Sequence, residues 1–326
     1  MVSRVKKDWC GELRFDEPLG ARTTWRTGGV ARCAYLPRNV ADLALFLKDL
    51  PADEPLWFIG LGSNILVRDG GLPGTAILLH NALKHMRVVP DAEFSIEMHD
   101  IGRKASGSTL YVEAGVASAK VARFAVQREL GGAEFLVGIP GTLGGALAMN
   151  AGCFGAQTWD VVAMVRTLDR HGRLATHTPE DFDIGYRHVA LKKPRNRRMP
   201  MGGPQADQCF VAAWLSLKSG QREALRGRLK QFLAQRIATQ PLDVPSAGSV
   251  FRNPPGDYAA RLIEACGLKG RAIGGAMVSP RHANFIVNTG GATAADIEAM
   301  IDLVRDVVRR EQGVDLASEV RIIGVS

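Results

Sequence analysis

The chain has 326 residues, 46% hydrophobic and 23% charged, with a formal net charge of +8. That length supplies two domains of ordinary size with ample core, and that composition excludes intrinsic disorder. The positive balance predicts attraction to anions, with nucleic acid, acidic lipid and polyphosphate cofactors as candidates.

The basic residues are spread along the chain, apart from one dense run, KKPRNRR at 192–198, and no aromatic RNA-binding signature accompanies them. Such a run reads as a solvated loop, so no nucleic-acid partner is expected. The cysteines Cys10, Cys33, Cys153, Cys209 and Cys266 form no CxxC pair. Their odd number argues against a disulfide framework or zinc site and for a reducing, cytoplasmic compartment. The N-terminal stretch is charged and lacks the apolar run of a signal peptide. Phe135 to Trp159 carries no charge, but its glycines and Pro140 make a poor membrane helix, so no membrane partner is expected.

In chain order, LWFIG (56–60) predicts a strand running into GLGSN (60–64) and out into a second strand, ILV (65–67). LYVEAG (110–115) reads as a strand and 116–130 as an amphipathic helix, with Val121, Phe124, Ala125 and Arg128 at helical spacing. A hairpin turning at His171-Gly172 is expected over 161–178, and a strand over 210–217. The charged stretch 218–240 predicts a long helix crossing into a second domain. Beyond it come a helix at 257–267, a strand at 284–288, and a helix from Thr293 to Gln312 opened by a Thr293/Asp296 capping box and stopped by Gly313. The last element is a strand, SEVRIIG (318–324), with Glu319 and Arg321 on one face.

GLGSN is no dinucleotide-binding fingerprint, because Ile65 stands at the sixth position and a strand follows. Its backbone N–H groups, with Ser63 and Asn64 as side-chain donors, suit an anion, although a hairpin turn has the same composition. GIPGTLGGALAMNAG (138–152) offers a second such loop, with expected free N–H groups at Gly144-Gly145-Ala146 and the Thr142 hydroxyl. The bland alternative is tight packing through small residues. Two charge-free glycine loops in a basic protein suggest one pyrophosphate held from two sides.

IGYRHVAL (184–191) sets Tyr186 and Arg187 in a strand-like context, where a surface role is the plain reading. In PSAGSVFRNPP (245–255), Ser249 has no neighbouring histidine in sequence, and no G-x-S-x-G, phosphate-loop or zinc-protease motif occurs. Ser249 is therefore not expected to be a His-activated nucleophile.

Together TTWRTGG (23–29), GLGSNILVRDGG (60–71), EFLVGIPGTLGGALAMNAG (134–152), GYR (185–187), GSVFRNP (248–254), HANFIVN (282–288) and SEVRIIG resemble the UDP-N-acetylenolpyruvoylglucosamine reductase family. The resemblance is to its second type, which lacks a tyrosine-bearing loop over the substrate. It implies an α+β fold: a two-part FAD-binding domain of the PCMH type over 1–220 (subdomains about 1–80 and 81–220, with strand 318–324 packing back on it) and a substrate-binding domain over 221–326. It implies non-covalent FAD, NADPH as reductant, UDP-N-acetylglucosamine enolpyruvate as substrate, and a monomer. Gly60, Gly62, Ser63, Asn64, Gly138, Pro140, Gly141, Thr142, Gly144 and Gly145 fall on cofactor positions. Arg187, Ser249 and Glu319 fall on catalytic positions, and Tyr186, Asn253 and His282 on substrate-binding ones. The 192–205 insert has no counterpart in the resemblance, and its charge suits the phosphates of NADPH.

The implied reaction adds hydride to a vinyl ether conjugated to a carboxylate, leaving an enolate. Arg187 offers fixed positive charge where negative charge develops. The enolate is basic enough to take a proton from an in-line serine hydroxyl, the expected role of Ser249. Glu319 is expected to position the enolate, in protonated form if a low-dielectric site raises its pKa. Two other readings remain: a flavin oxidase of the same fold, disfavoured because GLGSNIL holds no histidine to tether flavin, and a catalytically silent UDP-sugar or nucleotide binder.

Overall fold

The computed structural model describes residues 8–90, 92–94, 108–192 and 208–326. The 192–205 insert, apart from Lys192, lies outside the described residues. The chain divides into two compact units: Met1–Leu13, Tyr35–Gly60 and Ile77–Leu233 form one, and Arg14–Ala34, Leu61–Ala76 and Ala234–Ser326 form the other.

The first unit is organised on the strand Gln208–Ser219, whose QCFVAAWLSLKS is buried along most of its length. A near-continuous apolar run of this kind marks a central strand covered on both faces. Its neighbours are Val162–Asp169 and Ser108–Glu113, both antiparallel, with Leu174–His177 and Met86–Val89 outside them. The predicted hairpin is present: the two strands 162–169 and 174–177 are joined through Gly172, at φ 73°. The helix Ser118–Gln127, the 3-10 turn Glu134–Gly138 and the short helix Leu143–Ala148 pack Val121, Leu136, Leu143 and Leu147 into one core with Leu215.

A second core in this unit gathers under the helix Val40–Asp49, where Tyr35, Leu43, Leu47 and Ile77 are buried together. The Asp42 carboxylate is the polar anchor there. It accepts from Cys10 N–H (2.6 Å), Gly11 N–H (3.1 Å), Arg38 N–H (2.8 Å) and the Tyr35 hydroxyl (2.7 Å). Burial pushes this carboxyl up, but the donors outweigh burial and hold it below its ordinary value.

The second unit has a three-stranded antiparallel sheet of Ala272–Ile273, Ala276–Val278 and Ile286–Asn288. Two helices, Ala259–Ala265 and Ala294–Gln312, pack Ile263, Ile297, Met300 and Val304 against Val278 and Ile286. The long helix starts and stops as its sequence predicts: Thr293 and Asp296 form the reciprocal capping box, and Gly313 closes it at φ 68°.

The division into compact units does not run along the expected 220/221 boundary. Residues 14–34 and 61–76, assigned from sequence to an N-terminal domain, belong with the C-terminal residues. Trp25, fully buried, donates from Nε1 to the Ile286 carbonyl (2.7 Å), and Asn288 Nδ2 donates back to the Trp25 carbonyl (2.9 Å). Asp69 accepts from Ala294 and Ala295 N–H (2.9 and 3.0 Å), while Arg68 forks onto Glu298 (2.7 and 3.0 Å). The strand Arg321–Ile323 pairs in parallel with Ile65–Val67, so the chain terminus packs on a segment from the first 80 residues. The charged helix, Arg222–Thr239, is where the chain passes from one unit to the other for the last time, at 233/234. Among the described residues, no helix is long and apolar enough to cross a membrane.

Candidate functional site

GLGSN is not a hairpin. Its outgoing strand, Ile65–Val67, takes Arg321–Ile323 as its partner, which leaves the loop as a true crossover. Within the first unit its leading residue meets the second glycine loop: a Cβ on Gly60 would sit 2.4 Å from Thr142 Oγ1. The two predicted loops therefore touch at this point, and glycine is required at 60 by contact.

The second loop spends more of its backbone than its sequence suggests. Ser118 N–H donates to the Gly141 carbonyl, Leu143 N–H to Val116, Gly144 N–H to Ala114 and Ala146 N–H to Thr142, all at 2.9 Å. The free amides expected at Gly144 and Ala146 are thus occupied, the first by the segment 114–118 and the second by the opening turn of the short helix. Gly138 and Gly144 are held by packing: a Cβ would lie 2.5 Å from Cys153 Sγ and 2.8 Å from the Ala114 Cβ. Gly145 differs. It is exposed, and a Cβ there would meet nothing nearer than Thr142 Oγ1 at 3.9 Å.

Tyr186 and Arg187 are not in a strand. They are the two central residues of the tight turn joining Phe182–Gly185 to His188–Leu191, with Gly185 paired to His188. Arg187 takes a left-handed φ of 53°, which costs a non-glycine residue about 1–2 kcal/mol. Its guanidinium carbon lies 5.9 Å from the centre of the exposed Tyr186 ring. The base of the turn is gripped by Asn150, whose Nδ2 donates to the Gly185 carbonyl (3.2 Å) and to Gln157 Oε1 (2.7 Å), while its Oδ1 accepts from Trp159 N–H (3.2 Å). The second glycine loop and the Arg187 turn are therefore one connected piece of the first unit.

In the second unit, Ser249 lies just after Gly248, which turns the chain at φ 78°. The segment that carries it is extended but not a regular strand. It makes isolated bridges, Ser246 to Val287 and Phe251 to Ser318. Glu319 N–H donates to the Val250 carbonyl (2.7 Å), and Arg252 N–H to Ala317 (2.9 Å). Ser249 and Glu319 are thus carried on adjacent segments.

Glu319 is only 6% exposed while Arg321 is exposed. The predicted shared face fails because regular pairing begins only at Arg321. Asn64 reaches into the same arrangement: its Nδ2 donates to the Glu319 carbonyl (3.1 Å), and its own carbonyl accepts from Arg321 N–H (3.0 Å). Asn253 Oδ1 accepts from Ala259 N–H (3.1 Å) at the start of a helix, a local role that sequence did not predict. His282 is half-buried. Its Nδ1 accepts from Asn284 N–H (3.2 Å), and burial lowers its pKa below the ordinary imidazole value.

Two family models match the chain: FAD binding domain over 31–178, and UDP-N-acetylenolpyruvoylglucosamine reductase, C-terminal domain, over 240–323. A UDP-N-acetylenolpyruvoylglucosamine reductase of Nitrosospira multiformis is 54% identical, covering 96% of this chain and 89% of that one. Another, from Alkalilimnicola ehrlichii, is 53% identical over 99% of both. The chain belongs to the UDP-N-acetylenolpyruvoylglucosamine reductase family. The crystal structure of that reductase from Thermus caldophilus aligns with a TM-score of 0.72 at 29% identity, covering 96% of this chain and 98% of the other.

Membership in the reductase family makes the protein an FAD-binding oxidoreductase with a family-specific C-terminal domain. The first unit has a surface that fits the cofactor: open space over exposed Gly145, beside the Thr142 hydroxyl and the close approach of Gly60. A bare backbone at such a point lets a flat or charged group come close. Two residues that sequence reading passed over, Asn150 and Asn284, brace the segments carrying the candidate residues through hydrogen bonds to Gly185 and to Phe251. Both stand in otherwise uncharged runs, EFLVGIPGTLGGALAMNAG aside from its first residue and HANFIVN, and both are buried. A buried amide must find hydrogen-bond partners, and that was the available signal.

Proposed function

We propose that this reductase uses NADPH to convert UDP-N-acetylglucosamine enolpyruvate to UDP-N-acetylmuramate for peptidoglycan precursor synthesis, working as a monomer. The single observation that carries the reading is the backbone bond from Glu319 to Val250 (2.7 Å), which sets the Ser249 segment beside the Glu319 segment within the unit matched by the C-terminal family model. FAD, when bound, supplies the hydride. Arg187 stabilises the enolate that hydride addition leaves, through a fixed charge and paired donors. Ser249 then gives its hydroxyl proton to the carbon next to the carboxylate, and Glu319 orients that group. Tyr186, Asn253 and His282 contact the UDP-sugar. The cofactor rests on Gly60, Gly62, Ser63 and Asn64 on one side and on Gly138, Pro140, Gly141, Thr142, Gly144 and Gly145 on the other.

The test is spectroscopic. Purified protein is expected to be yellow, to bleach with NADPH in the absence of oxygen, and to regain colour when the enolpyruvyl sugar nucleotide is added. Failure of NADPH to bleach the flavin, or of the enol ether to restore it, sinks the reading.

A further inference from the structure

Ser249 owes its placement to a side chain outside the assigned catalytic set. Asn284 is 4% exposed and makes three hydrogen bonds to the two residues that follow the serine. Its Oδ1 accepts from Phe251 N–H (2.9 Å), its Nδ2 donates to the Phe251 carbonyl (2.8 Å), and its backbone carbonyl accepts from Val250 N–H (2.9 Å). An amide that both accepts from and donates to one residue does the work of a neighbouring strand at a single position. On the other side, the same segment is held by the chain at 317–319 through Arg252 N–H to Ala317 and Glu319 N–H to Val250. Ser249 is therefore the first residue of a bracketed segment, with the turn at Gly248 immediately before it.

Asn284 also reaches the other direction. Its N–H donates to His282 Nδ1 (3.2 Å), so the neutral ring carries its proton on Nε2 and presents a donor there. The turn beneath is fixed in turn: Ser279 Oγ accepts from Arg281 and His282 N–H (3.2 and 3.4 Å), and Phe285 N–H donates to the His282 carbonyl (3.0 Å). The bond to His282, like the one from Val250, uses the backbone at 284, so the side chain's own contribution is the pair of bonds to Phe251.

We propose that the Asn284 side chain is a positioning group that sets the Ser249 hydroxyl in line for proton delivery, through its paired bonds to Phe251. The proposal rests on the reading of Ser249 as the proton donor. A proton transfer is sensitive to small errors of placement, and a displacement of about 1 Å typically costs on the order of 100-fold in rate. N284D keeps the acceptor for Phe251 N–H and sets a carboxylate against the Phe251 carbonyl, while N284A removes both bonds.

The experiment uses the full FAD-loaded chain and compares wild type, N284D, N284A, S249A and the two double variants. FAD content and melting temperature are recorded, then bleaching by NADPH and reoxidation by UDP-N-acetylglucosamine enolpyruvate in H2O and D2O. In N284D, bleaching is expected to stay within about two-fold of wild type while reoxidation slows by roughly 100-fold with a larger solvent isotope effect. In the S249A background the same substitution is expected to change reoxidation by less than about three-fold, because residues acting through one another are not additive. A cost as large in the S249A background as in wild type, or equal slowing of both half-reactions, overturns the proposal. Should N284A load little FAD, N284D alone decides. Wild-type reoxidation rates in S249A itself would instead sink the reading of Ser249, and the proposal with it.

Discussion

The Arg187 turn and the Ser249 segment hold the two side chains proposed to act on substrate in opposite ways. Arg187 sits at the tip of a two-residue turn, in a left-handed conformation, with a single asparagine gripping the carbonyl two residues before it. Ser249 opens a segment in which Val250 and Phe251 bond to Asn284 on one side, and Val250 and Arg252 bond to Glu319 and Ala317 on the other. The difference fits the proposed roles. A guanidinium stabilising spread-out negative charge tolerates some latitude, since its charge is fixed and its donors fan out. A hydroxyl that must hand one proton to one carbon tolerates little.

Removing the charge at the turn tests its half of this contrast and has the largest expected effect. Arg187→Ala should slow reoxidation of the flavin by substrate by about 10²–10³-fold, the usual loss for one pre-organised donor to a developing oxyanion. Bleaching by NADPH should be nearly unchanged. Arg187→Lys keeps the charge and loses the fork, so a recovery to within a few-fold of wild type would mean that charge alone suffices there. Asn150→Ala comes next. It strips the grip on Gly185 without touching Arg187, and a lost neutral hydrogen bond of about 0.5–1.5 kcal/mol corresponds to roughly a two- to twelve-fold slowing of reoxidation. A loss as large as that of Arg187→Ala would show the turn to be as tightly specified as the serine segment, and the contrast would collapse.

Acid tests the other half. Burial, the largest influence, lowers the His282 pKa; Lys269 lowers it further, while its own backbone bond and Glu264 pull the other way. The folded state therefore prefers the neutral ring. The unfolded chain binds the proton near pH 6.5, so this residue's contribution to stability is full above that value and declines as pH falls through it toward the folded pKa. Protonation also takes Nδ1 away as the acceptor for Asn284 N–H. Reoxidation by substrate should fall several-fold only as pH drops past the ordinary imidazole value into the lowered range of the folded ring, and His282→Gln should flatten that limb of the profile. An unchanged acid limb in the glutamine variant would remove His282 from the account.

How much of this was legible depends on how local each feature is. The Thr293 to Gln312 helix was readable to the residue, because its cap, apolar stripe and terminating glycine are all within one segment. So was the hairpin turning through Gly172. The domain boundary was not, since the membership of Trp25 and Asp69 in the C-terminal unit is decided by hydrogen bonds to Ile286 and to Ala294, more than two hundred residues away. The candidate residues themselves came from spaced blocks, but their settings did not. Nothing near Arg187 in sequence marks a left-handed turn, because arginine is a poor residue for one. Nothing near Ser249 names Asn284, whose bonds to Phe251 span 33 positions.

The smallest expected effect separates packing from ligand contact in the glycine loop of the first unit. Gly144 and Gly145 are neighbours in the short helix Leu143–Ala148, where alanine is intrinsically favoured over glycine by about 0.5–1 kcal/mol. At Gly144 a methyl group would press on the Ala114 Cβ at 2.8 Å, so Gly144→Ala should lower the melting temperature. At Gly145 it would meet Thr142 Oγ1 at an ordinary 3.9 Å, so Gly145→Ala should leave the FAD-free protein as stable as wild type or slightly more so. If the exposed face of Gly145 receives the cofactor, the same methyl group should weaken FAD binding several-fold, seen as a smaller rise in melting temperature on FAD addition. Undiminished FAD affinity in the Gly145→Ala variant would show that the exposed face of Gly145 does not receive the cofactor, which then approaches this unit elsewhere.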